Sequence, residues 1–353
     1  MRTLKDLTAA SIGAALRTAG VVDADPTRVT VTEIGAGFGL LGTLGRIRLI
    51  WPAGVDGPAS IVAKLPTTNP ENEWIVNHFS YDRREAGVYR DLRPWERAST
   101  PICLAQEWDD EAGRGWLLLN DLGALSRGDQ LAGASDEETF AMIDALAAWH
   151  AAWWNDETLA DLEWLPDVTH STVAGYGNIF DQTWESCVTK LSGVLDAAIL
   201  DAAQAARAEF EIAIDAFAEG PRTLVHGDAR LDNALFDRSL SGVNGAVLLD
   251  FQLATLSRGA YDLAFFCAGS LATDDRRRLE PVLLDRYLNC LRAFGIADYS
   301  ASDLATDYRL GHIVNLPNPV SALAVVNPVT ERGARFLHRN AVRGITATVD
   351  HLG

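Results

Sequence analysis

Asp228, Asn233 and Asp250 are the residues of this sequence whose types and spacing are best suited to chemistry, and all fall within Leu224 to Leu263. Leu224 and Val225 predict a short apolar strand that runs into His226-Gly227-Asp228, and Asn233 follows five residues after that aspartate. Ala234, Leu235 and Phe236 predict a second strand, and Ser239 to Gly245, rich in Ser, Gly and Asn, a hairpin turn. Ala246 to Leu249 is a third apolar run, ending on Asp250-Phe251-Gln252. The pattern puts two carboxylates and an amide at the ends of adjacent strands. Transfer of a phosphoryl group from ATP needs such a set. One carboxylate orients and deprotonates the attacking hydroxyl, while the other, with an amide oxygen, holds Mg²⁺ against the phosphates. Asp228 suits the first role; Asp250 and Asn233 suit the second. Singly, each could equally be a turn residue hydrogen-bonded to its own backbone. The ordered set carries the chemical reading.

An aspartate followed five residues later by asparagine, then by a strand ending in Asp-Phe, is the catalytic arrangement of the kinase fold. Here His226-Gly227-Asp228 stands where protein kinases have His-Arg-Asp. The stretch resembles the aminoglycoside phosphotransferase and choline kinase group of kinase-like folds. Asp250-Phe251-Gln252 and Tyr261-Asp262-Leu263 are most similar to its ecdysteroid-kinase-like branch. The resemblance implies an α+β, protein-kinase-like bilobal fold: an N-terminal lobe of antiparallel sheet plus helix, and a larger, mostly helical C-terminal lobe. It implies that Asp262 braces the catalytic loop by hydrogen bonds. Arg230 sits where protein kinases carry a phosphate-contacting lysine and could stabilise charge on the transferred group; a surface arginine on the loop is the alternative.

The elements that must position these residues lie upstream. Leu4, Leu7, Ile12 and Leu16 recur at helical spacing, and Val29 to Ile34 alternates as a half-buried strand. Gly37 and Gly39 fall in a glycine-rich turn before the next strand, Leu44 to Trp51, where backbone amides could lie over ATP phosphates. Ala59 to Leu65 predicts a third strand carrying Lys64, a cation that is costly to bury unpaired. In the kinase layout this lysine contacts the α/β-phosphates and pairs with a helix glutamate. Asn69 to Leu92 is expected to form that helix, with Glu85 on it. Gly115 to Leu119 predicts a strand ending at Asn120-Asp121, which looks like the family's hinge, where backbone groups near Leu119 to Asp121 would receive adenine. The family more often has Glu where this chain has Asn120. The expected division is residues 1–119 for nucleotide binding and 120–353 for catalysis and acceptor, with the hinge at about 118–123. Ser135 to Glu138 is a capping box opening a helix, on which His150 reads as a satisfied core histidine. Asp196 to Phe217 reads as one long helix, and Arg276-Arg277-Arg278 as a solvated face.

With 353 residues and 48% hydrophobic residues, the chain can bury a large core. A net charge of −18 argues against nucleic acid as a partner and leans towards a cationic one. The four cysteines are widely separated, so neither a disulfide framework nor a zinc site is suggested. No secretory signal and no apolar run of membrane-spanning length is found, so the expected location is the cytoplasm. No protein partner is evident. The reading is therefore an ATP- and Mg²⁺-dependent kinase acting on a small-molecule alcohol. Its rivals are a catalytically inactive nucleotide-binding pseudokinase and a metal-dependent hydrolase built on His226 and Asp228. The hydrolase would need further ligands at defined spacing, and the seven scattered histidines show none.

Overall fold

The structure is a computed structural model that describes all residues except 2, 36–41, 240–241, 328–329 and 353. The chain forms two compact units, Met1–Ala124 with Leu249–Leu253, and Leu125–Leu248 with Ala254–Gly353.

The first unit contains helix α1 (Ala9–Thr18), strands β1 (Arg28–Ile34), β2 (Gly42–Ile50) and β3 (Ser60–Pro66), helices α2 (Pro70–His78) and α3 (Tyr81–Gly87), and strands β4 (Cys103–Asp109) and β5 (Arg114–Asn120). The strands make one antiparallel sheet in the order β1-β2-β3-β5-β4. Alternation decides its faces. On β2, Ile47 and Leu49 are buried while Arg46 and Arg48 face the other way; on β3, Ile61, Ala63 and Leu65 alternate with Val62 and Lys64. Ile47, Ile61 and Ala63 pack with Ile12 and Leu16 of α1 in one core. The opposite face is the one that carries Lys64.

The single helix expected over Asn69 to Leu92 is broken. Ser80 adopts a left-handed backbone (φ 55°) between α2 and α3, and Val88–Leu92 winds into one π-helical turn after α3. Phe79 and Ser80 close the end of α2 by donating to Ile75 O and Asn77 O. Tyr81, Arg84, Glu85 and Ala86 are all buried on α3. The corner lets α3 turn this face inward, where the continuous apolar spacing read from sequence would have kept one axis.

The second unit contains β6 (Ser126–Arg127), α4 (Asp136–Ala152), α5 (Ser171–Ala174), α6 (Tyr176–Lys190), α7 (Ala197–Ala206), α8 (Phe210–Ala218), β7 (Thr223–Val225), β8 (Ala234–Ser239), β9 (Gly242–Leu248), β10 (Thr255–Ser257), α9 (Ala260–Ser270), α10 (Thr273–Ala293), α11 (Ala301–Asn315), α12 (Pro317–Val325) and α13 (Glu331–Asp350). Strands β8 and β9 form the expected hairpin with β6 at its edge, and β7 pairs with β10. The helix expected over Asp196 to Phe217 is interrupted by a 3₁₀ turn at Arg207–Glu209. There Arg207 reaches back to Gly177 O and Asp181 on α6, and that tie competes with a straight helix. Arg276 corrects the solvated-face reading of its triplet. It is 1% exposed and pairs with Glu280 (2.8 Å) and Asp350, while Arg277 and Arg278 stay at the surface.

The capping box at α4 is formed: Glu138 N donates to Ser135 Oγ (3.2 Å) and Ser135 N to Glu138 Oε2 (2.9 Å). Ser135→Ala should therefore lower unfolding stability by about 1 kcal/mol, read as a lower urea midpoint with unchanged slope.

Candidate active site

In the first unit, Lys64 is opposite Leu44 on β2 and Leu117 on β5, at the middle of the sheet. Its Nζ lies 2.6 Å from Glu85 Oε2 and 3.0 Å from Asp250 Oδ1. Burial alone would lower the lysine's pKa. The charges and hydrogen bonds of Asp250 and Glu85 outweigh it and hold the ammonium above its ordinary value. Glu85 reaches this point from the buried face of α3. Asp250 reaches it from a strained backbone at φ 69°, a conformation non-glycine residues rarely hold unless neighbours fix it. The next residue supplies one such anchor: Phe251 is fully buried, edge-on to Tyr89 with ring centroids 5.6 Å apart. Gln252 supplies another, with its Nε2 donating to Asp82 Oδ1 at 3.5 Å.

Gln252 belongs to the Asp-Phe-Gln motif read from sequence, whereas Asp82 carries no such signal, although it precedes Glu85 by one helical turn. Burial, opposed by Lys64 and reinforced by Asp250, pushes the Asp82 carboxyl up to about 6.

At the end of β5, Leu119 is opposite Val62 and Cys103. Asn120 ties this strand end to Ile102, its Oδ1 accepting from Ile102 N (2.8 Å) and its N–H donating to Ile102 O (3.0 Å). The Asp121 carboxylate accepts from Ser60 Oγ (2.6 Å) and Gly123 N (2.9 Å) and lies 3.0 Å from Arg46 Nε. Its side chain is thus occupied in bracing the segment. Gly37 and Gly39 lie outside the described residues.

In the second unit, the loop holding Asp228 leaves β7 and is suspended from one buried carboxylate. Asp262, at the start of α9, accepts from His226 N (2.6 Å) and Gly227 N (2.9 Å) and lies 3.0 Å from His150 Nε2. Gly227 sits at φ 80°, where a side chain would be strained. The other nitrogen of His150 meets Tyr287 OH at 2.9 Å, so this histidine is a satisfied core residue. Within the loop, Asn233 Nδ2 donates to both Asp228 O (3.1 Å) and Asp228 Oδ2 (2.8 Å). Arg230 Nε donates to the same Oδ2 at 3.1 Å. Asp228, Arg230 and Asn233 are therefore one hydrogen-bonded cluster, and Lys64, Glu85 and Asp250 another.

A family model described as a phosphotransferase enzyme family matches residues 67–301, a span that includes Glu85 and both aspartates. The chain belongs to that family. No curated protein matches it. Solved structures share its fold at low identity. Ethanolamine kinase from Plasmodium vivax is 12% identical with a TM-score of 0.56, covering 89% of this chain and 82% of that one. Choline kinase from Cryptosporidium parvum is 11% identical with a TM-score of 0.57, covering 97% and 95%. The GDP complex of aminoglycoside 2'-phosphotransferase-IIIa is 14% identical with a TM-score of 0.52, covering 95% and 98%. The kinase-like α+β fold expected from the family's motifs is thus the fold observed.

Two outcomes follow for the phosphotransferase fold. Asp262→Asn removes a charged acceptor of two backbone N–H groups, so stability should fall by about 2–4 kcal/mol, with faster amide exchange at His226 and Gly227. Asp82 has a folded pKa above its unfolded value. Its contribution is fully present below about pH 4 and is lost as pH rises through about 6. Asp82→Asn should therefore be more stable than wild type at pH 7 by about 1–3 kcal/mol, with the difference vanishing towards pH 4, measured without nucleotide or divalent cation.

Proposed function

We propose that this phosphotransferase moves the γ-phosphoryl group of Mg²⁺·ATP to the hydroxyl of a small molecule. The observation that carries the reading is the ion-paired triad of Lys64, Glu85 and Asp250, a cation and carboxylate arrangement suited to polyphosphate. The unit containing Lys64 is proposed to hold the nucleotide, with backbone groups of Leu119 to Asp121 receiving the base; the expected phosphate contact of Gly37 and Gly39 lies outside the described residues. The relative that carries GDP in its structure is consistent with a nucleotide site in this fold.

The donor atoms suit magnesium. Asp250 offers a carboxylate. Asn233 commits its Nδ2 to Asp228, and among the described residues nothing donates to its Oδ1. Hard oxygen donors of this kind favour Mg²⁺ over softer metals. Bound magnesium would offset charge on the β- and γ-phosphates. Lys64 would bind phosphate oxygens, with Glu85 keeping its ammonium in place. Asp228 would accept the proton of the attacking hydroxyl, its carboxylate aimed by Asn233. Arg230, beside Asp228, would meet charge on the transferred group. The acceptor is proposed as a small-molecule alcohol, in keeping with ethanolamine and choline kinases among the structural relatives. With ATP as donor, the reaction is placed in the cytoplasm. No described helix is long and apolar enough to cross a membrane.

Mg²⁺·ATP at about 100 times its dissociation constant should stabilise the wild type by about 2.7 kcal/mol, raising its melting temperature. Asp250→Ala should lose most of that shift and all ADP release with an alcohol panel. Asp228→Asn should keep the shift while kcat falls about 10²–10⁴-fold. A wild type that ignores Mg²⁺·ATP, or an Asp250→Ala variant with normal turnover, overturns the reading.

A further inference from the structure

The second unit holds a group of two imidazoles and a carboxylate that phosphoryl transfer does not use. Glu280 lies on α10, His312 on α11, and His351 directly follows α13; their ligand atoms all lie within 4.8 Å of one another. His351 Nε2 is 3.1 Å from Glu280 Oε1, and His312 Nε2 is 3.9 Å from the same oxygen. The two rings lie face to face, with centroids 4.5 Å apart and planes within 6°, so the more exposed His351 ring must turn for both lone pairs to reach one ion.

His312 makes this more than proximity. It is 1% exposed, and neither ring nitrogen has a hydrogen-bond partner among the described residues. An imidazole always presents at least one N–H, and leaving such a group unpaired in the core is unfavourable. Native structures resolve such groups with a water or an ion. One nitrogen has a ready water partner. Asn315 Oδ1 is also buried and without a partner among the described residues, and Asn315 and His312 line the same cavity of about 20 Å³. A cavity of that size admits one water, and a water donating to Asn315 Oδ1 while accepting from a His312 Nδ1–H would satisfy both. That tautomer leaves the lone pair on Nε2, the atom 3.9 Å from Glu280 Oε1.

We propose that His312 Nε2, His351 and Glu280 bind a divalent transition metal, with solvent completing the coordination. Two imidazoles and one carboxylate are borderline donors that suit Zn²⁺, Co²⁺ or Ni²⁺ and disfavour Mg²⁺ as a competitor. The surroundings orient the carboxylate in the manner of outer partners at a metal centre: Arg276 Nη1 (2.8 Å) and Tyr308 OH (2.7 Å) both donate to Glu280 Oε1. The Arg276 charge is shared with Asp350, so the site is not left with an uncompensated cation. The His351 side chain is 25% exposed, which gives an ion a route in. The metal would clamp α10, α11 and the end of α13 together, a structural site separate from the magnesium of phosphoryl transfer.

The test uses the full chain, stripped with chelator and titrated with Co²⁺ and then Zn²⁺. The expected result is one Co²⁺ per chain with visible d–d absorption, displaced by Zn²⁺, and a rise in melting temperature with either ion. His351→Asn, at a partly exposed position, should lose the absorption and weaken Zn²⁺ binding about 10–100-fold. Absence of stoichiometric Co²⁺ or Zn²⁺ binding by the wild type overturns the proposal; it would leave His312 solvated by water alone. Binding and absorption unchanged in His351→Asn overturn it as well, because the ion would then sit elsewhere.

Discussion

A lysine ammonium cannot leave water alone, and the first unit is arranged around that constraint. Lys64 projects from the middle strand of a sheet, where neither neighbouring strand offers it a partner: Leu44 and Leu117 stand opposite. Its counter-charges must come from elsewhere in the chain. Glu85 is delivered by a helix that has to turn a corner at Ser80 to present its buried face, and Asp250 by a segment more than one hundred and eighty residues away in sequence. Each delivery has a visible strain or fastening. Ser80 and Asp250 hold left-handed backbones, and Phe251 is buried against Tyr89. Removing Lys64 would leave two carboxylates facing one another without a cation, so the pair of long-range contacts and the ammonium stand or fall together.

The second unit solves the opposite problem with the same physics. There the buried charge is negative. Asp262 is fully buried and draws backbone N–H groups from His226 and Gly227, with His150 beside it. Two amides and an imidazole replace the water a carboxylate would otherwise need. Because the amides belong to the residues just before Asp228, solvating Asp262 fixes the loop that carries the carboxylate proposed as the base. Asp262 thus acts on the placement of Asp228 through the backbone of the two residues before it. Tyr287, bonded to the far side of His150, extends the network to α10.

How much of this was legible in the sequence depended on how local each constraint is. The cluster of Asp228, Arg230 and Asn233 lies within six consecutive residues, and its spacing is dictated by one loop, so residue type and interval were enough. The strands of the five-stranded sheet were legible because period-two alternation is a local signal, as at Ile61, Ala63 and Leu65. The helix breaks were not. The apolar spacing from Asn69 to Leu92 is compatible with one helix, and the break at Ser80 is written in a backbone conformation that residue type does not announce. The same holds for Arg207, whose partners on α6 interrupt a helix that its own sequence would continue.

Arg276 and His312 show where local reading fails altogether. Arg276 stands in an Arg-Arg-Arg triplet, which in isolation means a solvated surface. What buries it is Glu280 one turn on and Asp350 at the end of α13. The group of Glu280, His312 and His351 has its outer members 71 positions apart, with no ligand-like interval between any two, so a search for metal spacing passes over it. Spacing rules recognise sites built on one turn or one hairpin, because there the backbone sets the distance between ligands. A site assembled from three helices has its distances set by packing, and its trace is a polar side chain that the core would otherwise exclude. His312 is such a residue: a histidine buried with both ring nitrogens unpaired in a helix whose neighbouring positions are apolar. The informative signal for sites of this kind is therefore polarity at a position that burial would assign to Leu or Val, and that becomes visible only once the fold has said which positions are buried.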